Sequence, residues 1–213
     1  CVIIGFANYD SNNKRIFEYE DIKGEAHELK VKNINPYLVD AKDLVIRKES
    51  NPICNVPKIK FGNQPIDGGF LLLTEEERNI AIKSEPFIEK YIRKFVGSVE
   101  FINNIPRYCL WLKDSDPTEI RRSNFLTERL KNVRAFRENS TRKETRELAN
   151  IPAQFAFISH CDSEYIIIPS VSSERRRYIP IDFMPKHVIA SNLCLIIPGA
   201  KLYHFGILTS EMH

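Results

Sequence analysis

Apolar and polar positions alternate at the start of the chain and then give way to longer periods. Val2 to Phe6, Arg15 to Tyr19 and His27 to Val31 read as three short strands of a meander, separated by turns rich in Asn, Asp and Ser and by Gly24. Residues 40 to 70 carry Pro52, Pro57, Pro65, Gly62 and the pair Gly68-Gly69, which predicts a long irregular excursion over the surface. Thr74 followed three residues later by Glu77 is a capping box opening a helix, with Glu75 and Glu76 suited to its first turn. Ser84 opens a second helix in this reading, with the stripe Phe87, Ile88, Tyr91, Ile92 and Phe95 stopped by Gly97. Tyr108 to Leu112 is a buried strand. Phe125, Leu126, Leu130, Val133 and Phe136 mark the buried face of a further helix, and Thr141 with Glu144 restarts another. Pro152 to Ser159, Tyr165 to Ile168, Tyr178 to Phe183 and Leu193 to Ile197 supply the last strands, closed by Pro198-Gly199-Ala200. The pattern predicts a single mixed α/β domain over residues 1–213, with a mixed or antiparallel sheet and a helical central section.

Composition narrows this only a little. With 213 residues and 43% hydrophobic content the chain can bury one substantial core. Its net charge of +3 is too small to imply nucleic acid by itself, so such a partner has to be argued from clustering. Five cysteines stand singly, with no C-x-x-C, as expected for reduced packing residues in a cytoplasmic protein. No apolar run approaches the roughly 18 residues of a membrane span. A strand pattern at residue 2 without an initiator methionine, and an apolar close from Phe205 to Met212, predict a piece of a longer polypeptide.

The charges cluster in two places. Between the strand patterns of Tyr165–Ile168 and Tyr178–Phe183 lie Ser172, Ser173, Glu174, Arg175, Arg176 and Arg177. Three consecutive guanidiniums beside two hydroxyls are the inventory of a phosphate-contacting loop. A solvated hairpin with an internal ion pair to Glu174 is the alternative. From Thr118 to Ala149 there are nine Lys or Arg against five Glu, and Arg129, Lys131, Arg134 and Arg137 read as lying largely outside the buried stripe. That favours a phosphate-facing surface over a merely charge-laced helix.

Other motifs carry less. Glu28-Leu29-Lys30 has the E-x-K form of a metal-dependent nuclease, with Asp21 as the upstream carboxylate, but charged pairs at i and i+2 are ordinary on a half-exposed strand. Asn35-Pro36-Tyr37 superficially resembles the adenine pocket of a methyltransferase. It has one proline and no following cofactor loop, and no G-x-G exists to approach S-adenosylmethionine, so Asn35 and Tyr37 read as structural. His160, His187 and His204 lack zinc spacing, Trp111 reads as packing, and no serine occupies a G-x-S-x-G elbow.

The segments SSERRRYIPIDF, INPYL (Ile34 to Leu38), FGNQPIDGG (Phe61 to Gly69), FVGSVEFINNIPRYCLWL (Phe95 to Leu112) and LYHFGILTSEMH (Leu202 to His213) resemble, in order, the DNA-specificity region of MmeI-type and YeeA-like adenine-specific DNA methyltransferases. Asp182 and Asn104 stand where that family commonly has glycine. The resemblance implies a target recognition domain that holds double-stranded DNA for a methyltransferase module upstream in the same chain. That module would use S-adenosylmethionine to modify adenine N6 in a type II restriction-modification system. On this reading the fragment itself holds no catalytic residue, metal or cofactor. The expected DNA contacts are Ser172, Ser173, Arg175, Arg176, Arg177, Tyr178, Arg121, Arg122, Arg134, Arg137 and Lys143, with bases read by residues outside the quoted motifs. A nuclease using Asp21, Glu28 and Lys30, or a partner-docking domain, are the rival readings.

Overall fold

The computed structural model describes residues 2–21, 23–45, 47–49, 52, 54–173 and 175–210. Contacts divide the chain into two compact units, residues 1–55 and 56–213. Both helices and sheets are present, as the pattern predicted for a mixed α/β protein.

In the first unit, β1 (Lys14–Glu18) and β2 (His27–Val31) form an antiparallel hairpin with Ile16 opposite Leu29 and Phe17 opposite Glu28. The third expected strand is absent: residues 2–7 belong to no ladder. Further on, the buried Asn35 closes a turn on itself. Its side-chain oxygen accepts from the backbone N–H groups of Tyr37 and Val39, and Leu38 takes a left-handed φ of 64°.

The second unit contains β3 (Lys60–Phe61), β4 (Leu72–Leu73), α1 (Glu75–Ser84), a 3-10 turn (Pro86–Tyr91), β5 (Ile92–Val96), α2 (Ser98–Asn103), β6 (Tyr108–Leu110), α3 (Pro117–Arg122), α4 (Asn124–Glu138), α5 (Lys143–Glu147), β7 (Tyr165–Pro169), β8 (Asp182–Met184), β9 (Ile189–Ala190), β10 (Cys194–Pro198) and α6 (Leu202–Leu208). Two four-stranded sheets result. One has the order β4-β6-β5-β9, with β5 and β9 parallel; the other runs β3-β10-β7-β8, antiparallel throughout. A first core gathers Leu71, Ile88, Leu110, Leu126, Val133 and Ile189. A second, around Tyr165, Ile167, Val188 and Ile196, lies against the antiparallel sheet.

Several expected boundaries move, each for a local reason. The capping box of α1 forms as expected, Thr74 accepting from Glu77 N–H and Glu77 from Thr74 N–H. The second helix does not form. Pro86 starts one 3-10 turn, and from Ile92 the β-branched and aromatic run pairs as the strand between β6 and β9. The stripe there satisfies a helical period and a core strand equally well. Pro152 to Ser159 is irregular, with one bridge from Phe157 to Gln64, because the Ile151 and Gln154 carbonyls are used by a side chain described below. Ladder pairing of β8 begins at Asp182, past Pro180, whose nitrogen has no hydrogen to donate. The unexpected helix α2 ends at Asn104 with φ 51°, a left-handed cap of the kind that glycine adopts without strain. Asn104→Gly is expected to stabilise the domain by about 0.5–1 kcal/mol, read as a rise in the urea midpoint at unchanged m-value.

Candidate nucleic-acid interface

The segment Phe61 to Gly69 is the internal anchor of the second unit. Gly62 passes so close to the β9–β10 turn that a Cβ there would collide with the Ser191 and Ala190 carbonyl oxygens, so only glycine fits. Asn63 is fully buried and makes three side-chain hydrogen bonds. Its side-chain N–H donates to the Ala190 carbonyl (2.9 Å), and its oxygen accepts from Ser159 N–H (2.8 Å) and His160 N–H (2.9 Å). Asn63 is therefore an interior tie between three segments. Asn63→Ala leaves the half-buried Ser159 and His160 N–H groups without their acceptor, and an equilibrium unfolding curve should show a loss of about 2–3 kcal/mol.

Arg137 needs the clearest correction. Expected on a DNA-facing surface, it is 0% exposed at the end of α4. All five of its N–H groups donate to backbone carbonyls: Nε to Ile66, one terminal nitrogen to Leu148 and Ile151, the other to Pro65 and Gln154, at 2.7–3.0 Å. A guanidinium has five donors, so none remains for a phosphate. Burial lowers its pKa and the nearby Asp67 charge opposes that shift. A signal was available: Arg137 follows Leu126, Leu130 and Val133 at helical spacing, on the buried line itself, whereas Phe136 is half exposed. Arg129 is also structural, ion-paired to Glu77 and donating to the Phe70 and Leu72 carbonyls.

The remaining basic candidates of this section are exposed. Arg121 and Arg122 close α3, the latter with its guanidinium 6.0 Å from the Phe87 ring centre. Arg134 is exposed while its Nε donates to the Ala149 carbonyl (3.3 Å), and Lys143 begins α5 with Glu147 4.0 Å away. Helix α3 is held to the 3-10 turn by Glu119, which accepts from the Tyr91 hydroxyl and pairs with Lys90. The Lys90 ammonium, and after it the Tyr91 hydroxyl, hold the Glu119 carboxyl below its ordinary pKa.

The arginine loop spans residues 170–181, between β7 and β8. At its root Ser170 N–H donates to the Leu193 carbonyl, and Gly62 N–H to that of Cys194, so the loop stands on the anchored turn just described. Ser173 organises the tip: its hydroxyl accepts from Arg175 N–H (3.3 Å) and its carbonyl from Arg176 N–H (3.0 Å). Ser172, Ser173, Arg175, Arg176, Arg177 and Tyr178 are all exposed, and the Arg177 guanidinium lies 5.3 Å from the Tyr178 ring centre. The alternative ion pair to Glu174 lies outside the described residues. Loop and helices rest on different cores: β7 belongs to the second, α4 to the first. Rigid strands beneath an exposed turn bearing guanidiniums and hydroxyls suit contact with a polyanion's backbone.

The chemical decoys resolve in the same terms. Glu28 pairs with Arg15 at 3.1 Å on the hairpin, the Asp21 side chain accepts from Lys23 N–H, and no group of three or more His, Cys, Asp or Glu among the described residues could hold a metal. Trp111 is buried edge-on against Phe155 and His160, as its apolar neighbours predicted. Burial raises the Cys194 thiol to about 11, and the described cysteines are unpaired. His204 accepts from Lys201 N–H through Nδ1, at the start of α6. Among the described residues no helix is long and apolar enough to cross a membrane.

Fold and surface together define a mixed α/β domain that presents basic loops and helix ends from rigid strands, the build of a recognition domain. The chain belongs to the family described as MmeI, target recognition domain, which it matches over residues 40–213. It is 41% identical over all 213 residues to DNA methyltransferase A of Bacillus subtilis (strain 168), covering 24% of that protein. It also matches the structure of the Type IIL restriction-modification enzyme MmeI in complex with DNA, at 47% identity and a TM-score of 0.80, over 96% of this chain and 27% of that one. The chain thus spans about a quarter of the length of these relatives.

Proposed function

We infer that residues 1–213 are the target recognition part of a longer, cytoplasmic adenine-N6 DNA methyltransferase, and that they bind a specific sequence in double-stranded DNA for a methyltransferase module elsewhere in the same chain. The observation that supports this most is the fold match at 47% identity to a protein solved with DNA. Register on the duplex comes from backbone contacts by Ser172, Ser173, Arg175, Arg176, Arg177, Tyr178, Arg121, Arg122, Arg134 and Lys143. Base edges are read by side chains outside the shared motifs: the exposed arginine loop holds the duplex backbone, and the Phe61–Gly69 motif is occupied with folding, since Gly62, Asn63 and Asp67 are buried and Leu71 N–H donates to the Asp67 carboxylate.

The methyl donor belongs to the parent. Asn35, the residue closest in type to an adenine-pocket ligand, uses its side-chain oxygen to close its own turn. The residues of this chain grip and orient the duplex; what S-adenosylmethionine supplies when bound, a methyl group, is delivered elsewhere.

Mapping methylated adenines in DNA from cells expressing the full-length gene tests the reading. A single recurrent motif is expected, and the purified enzyme should bind a duplex carrying it about 10³-fold or more tighter than a scrambled duplex at physiological salt. Unmethylated DNA together with equal affinity for both duplexes would overturn it.

A further inference from the structure

The first unit lacks what a folded unit needs. Among its described residues the only buried one is Asn35; all the described hydrophobic residues that are buried lie at residue 71 or beyond. Val2, Ile3, Ile4 and Phe6 are 60–95% exposed, and Phe17 and Tyr19 on the hairpin are 52% and 58% exposed. A two-stranded hairpin is marginal in water without a third strand or a packed face. Val2 to Phe6 has the side chains of a strand and no ladder. Exposed apolar surface on this scale marks an interaction site.

The occupant follows from charge and length. Residues 1–55 hold eight Lys or Arg against nine Asp or Glu, so this unit contributes nothing to the protein's positive charge and offers phosphates no attraction. The exposed side chains of Val2, Ile3, Ile4, Phe6, Tyr9, Phe17 and Tyr19 are apolar and aromatic, the composition of a protein interface core. About three quarters of each relative lies outside the region this chain covers. Interfaces between domains of one chain bury roughly 600–1,500 Å². Phe6, Tyr9, Phe17 and Tyr19 alone, at roughly 150–250 Å² per ring, approach that scale once covered.

We propose that the apolar surface of Val2–Tyr9 and the β1–β2 hairpin is the seat on which the remaining part of the parent methyltransferase chain docks, with Val2–Phe6 pairing as a strand against that module. This rests on the reading of the chain as part of a longer methyltransferase. Docking couples recognition to chemistry: DNA held by the second unit is useful only if its target base is delivered at a fixed place on the catalytic module. The two basic groups of the second unit set where the duplex lies; the apolar seat of the first sets where the catalytic module lies.

The test uses the full-length enzyme with a benzophenone amino acid at position 6 or 17, photolysed and mapped by mass spectrometry. Cross-links to peptides of the same chain outside these 213 residues are expected. Cross-links to residues 56–213, to DNA, or to a second copy in a mixture of isotopically light and heavy enzyme would each overturn the proposal. As a second measurement, Ile4→Asp with Phe6→Asp in the full-length enzyme should keep duplex affinity within about threefold while methyl transfer falls at least tenfold. Unchanged methyl transfer, or a parallel loss of both, would count against docking. An enzyme that methylates no adenine would sink the functional reading and still leave the cross-linking result interpretable.

Discussion

Arg137→Met is expected to be among the most destabilising single changes this domain can suffer. Methionine is shorter than arginine but fills much of its volume, and it donates nothing: the Ile66 and Gln154 carbonyls lose their donor, while those of Pro65, Leu148 and Ile151 lose the guanidinium and keep the backbone N–H groups of Ala156, Ile151 and Gln154. An unsatisfied buried group costs about 1–3 kcal/mol, and some of these carbonyls will recover water, so a net loss of about 4–5 kcal/mol is expected. Native domains hold only about 5–15 kcal/mol in total. Arg137→Lys should recover part of the loss, since three ammonium donors replace five without the planar fork. The measurement is urea unfolding of each variant, followed by duplex binding per folded molecule. A surface phosphate contact behaves oppositely, with stability unchanged and a lower salt slope, so the pair of measurements discriminates between the interior and exterior assignments of this residue.

Where pattern and propensity agree, the fold was legible. The capping box at Thr74 and Glu77, the β1–β2 hairpin, β7, the buried line Leu126, Leu130 and Val133, and the packing of Trp111 all form as read. Misreadings occurred where two periods coincide or where a side chain outcompetes a ladder. Phe87, Ile88, Tyr91, Ile92 and Phe95 satisfy a helix, yet the register with β6 and β9 makes a strand of the second half. The Pro152–Ser159 run looks like a strand, but its Gln154 carbonyl turns inward to the Arg137 guanidinium, which also holds the Leu148 and Pro65 carbonyls. That partnership joins positions 11 to 72 residues apart, beyond the reach of local pattern. The site shows the same division. Exposure of the arginine loop was readable from its composition, whereas the interior role of Asn63 depends on Ser159, His160 and Ala190 meeting it in three dimensions. Charge counting over residues 118–149 treated all cations as solvated and so overestimated the outward-facing surface by Arg137 and Arg129.

Replacing Arg175, Arg176 and Arg177 together by alanine in the full-length enzyme is expected to weaken binding to every duplex alike. The loop is exposed, and the Ser173 contacts that shape its tip are made to the backbone N–H groups of Arg175 and Arg176, which alanine retains, so the domain should stay folded, with an unfolding midpoint close to that of the parent. Each phosphate contact contributes roughly 0.9 to the slope of log K against log salt, which corresponds to about eightfold in affinity at 0.1 M relative to 1 M salt. Three lost contacts should therefore lower the slope by about 2.7 and the affinity at 0.1 M by roughly 500-fold, with the difference vanishing as salt approaches 1 M. Because phosphates are common to all sequences, the ratio between cognate and scrambled duplex should change little, and the methylated motif should stay the same. Fluorescence anisotropy over a salt series on both duplexes measures all of this. A variant that binds as tightly as the parent at 0.1 M would remove the loop from the interface. One that loses discrimination while keeping its salt slope would make these arginines readers of bases, because guanidiniums bidentate to guanine carry sequence information that phosphate contacts do not.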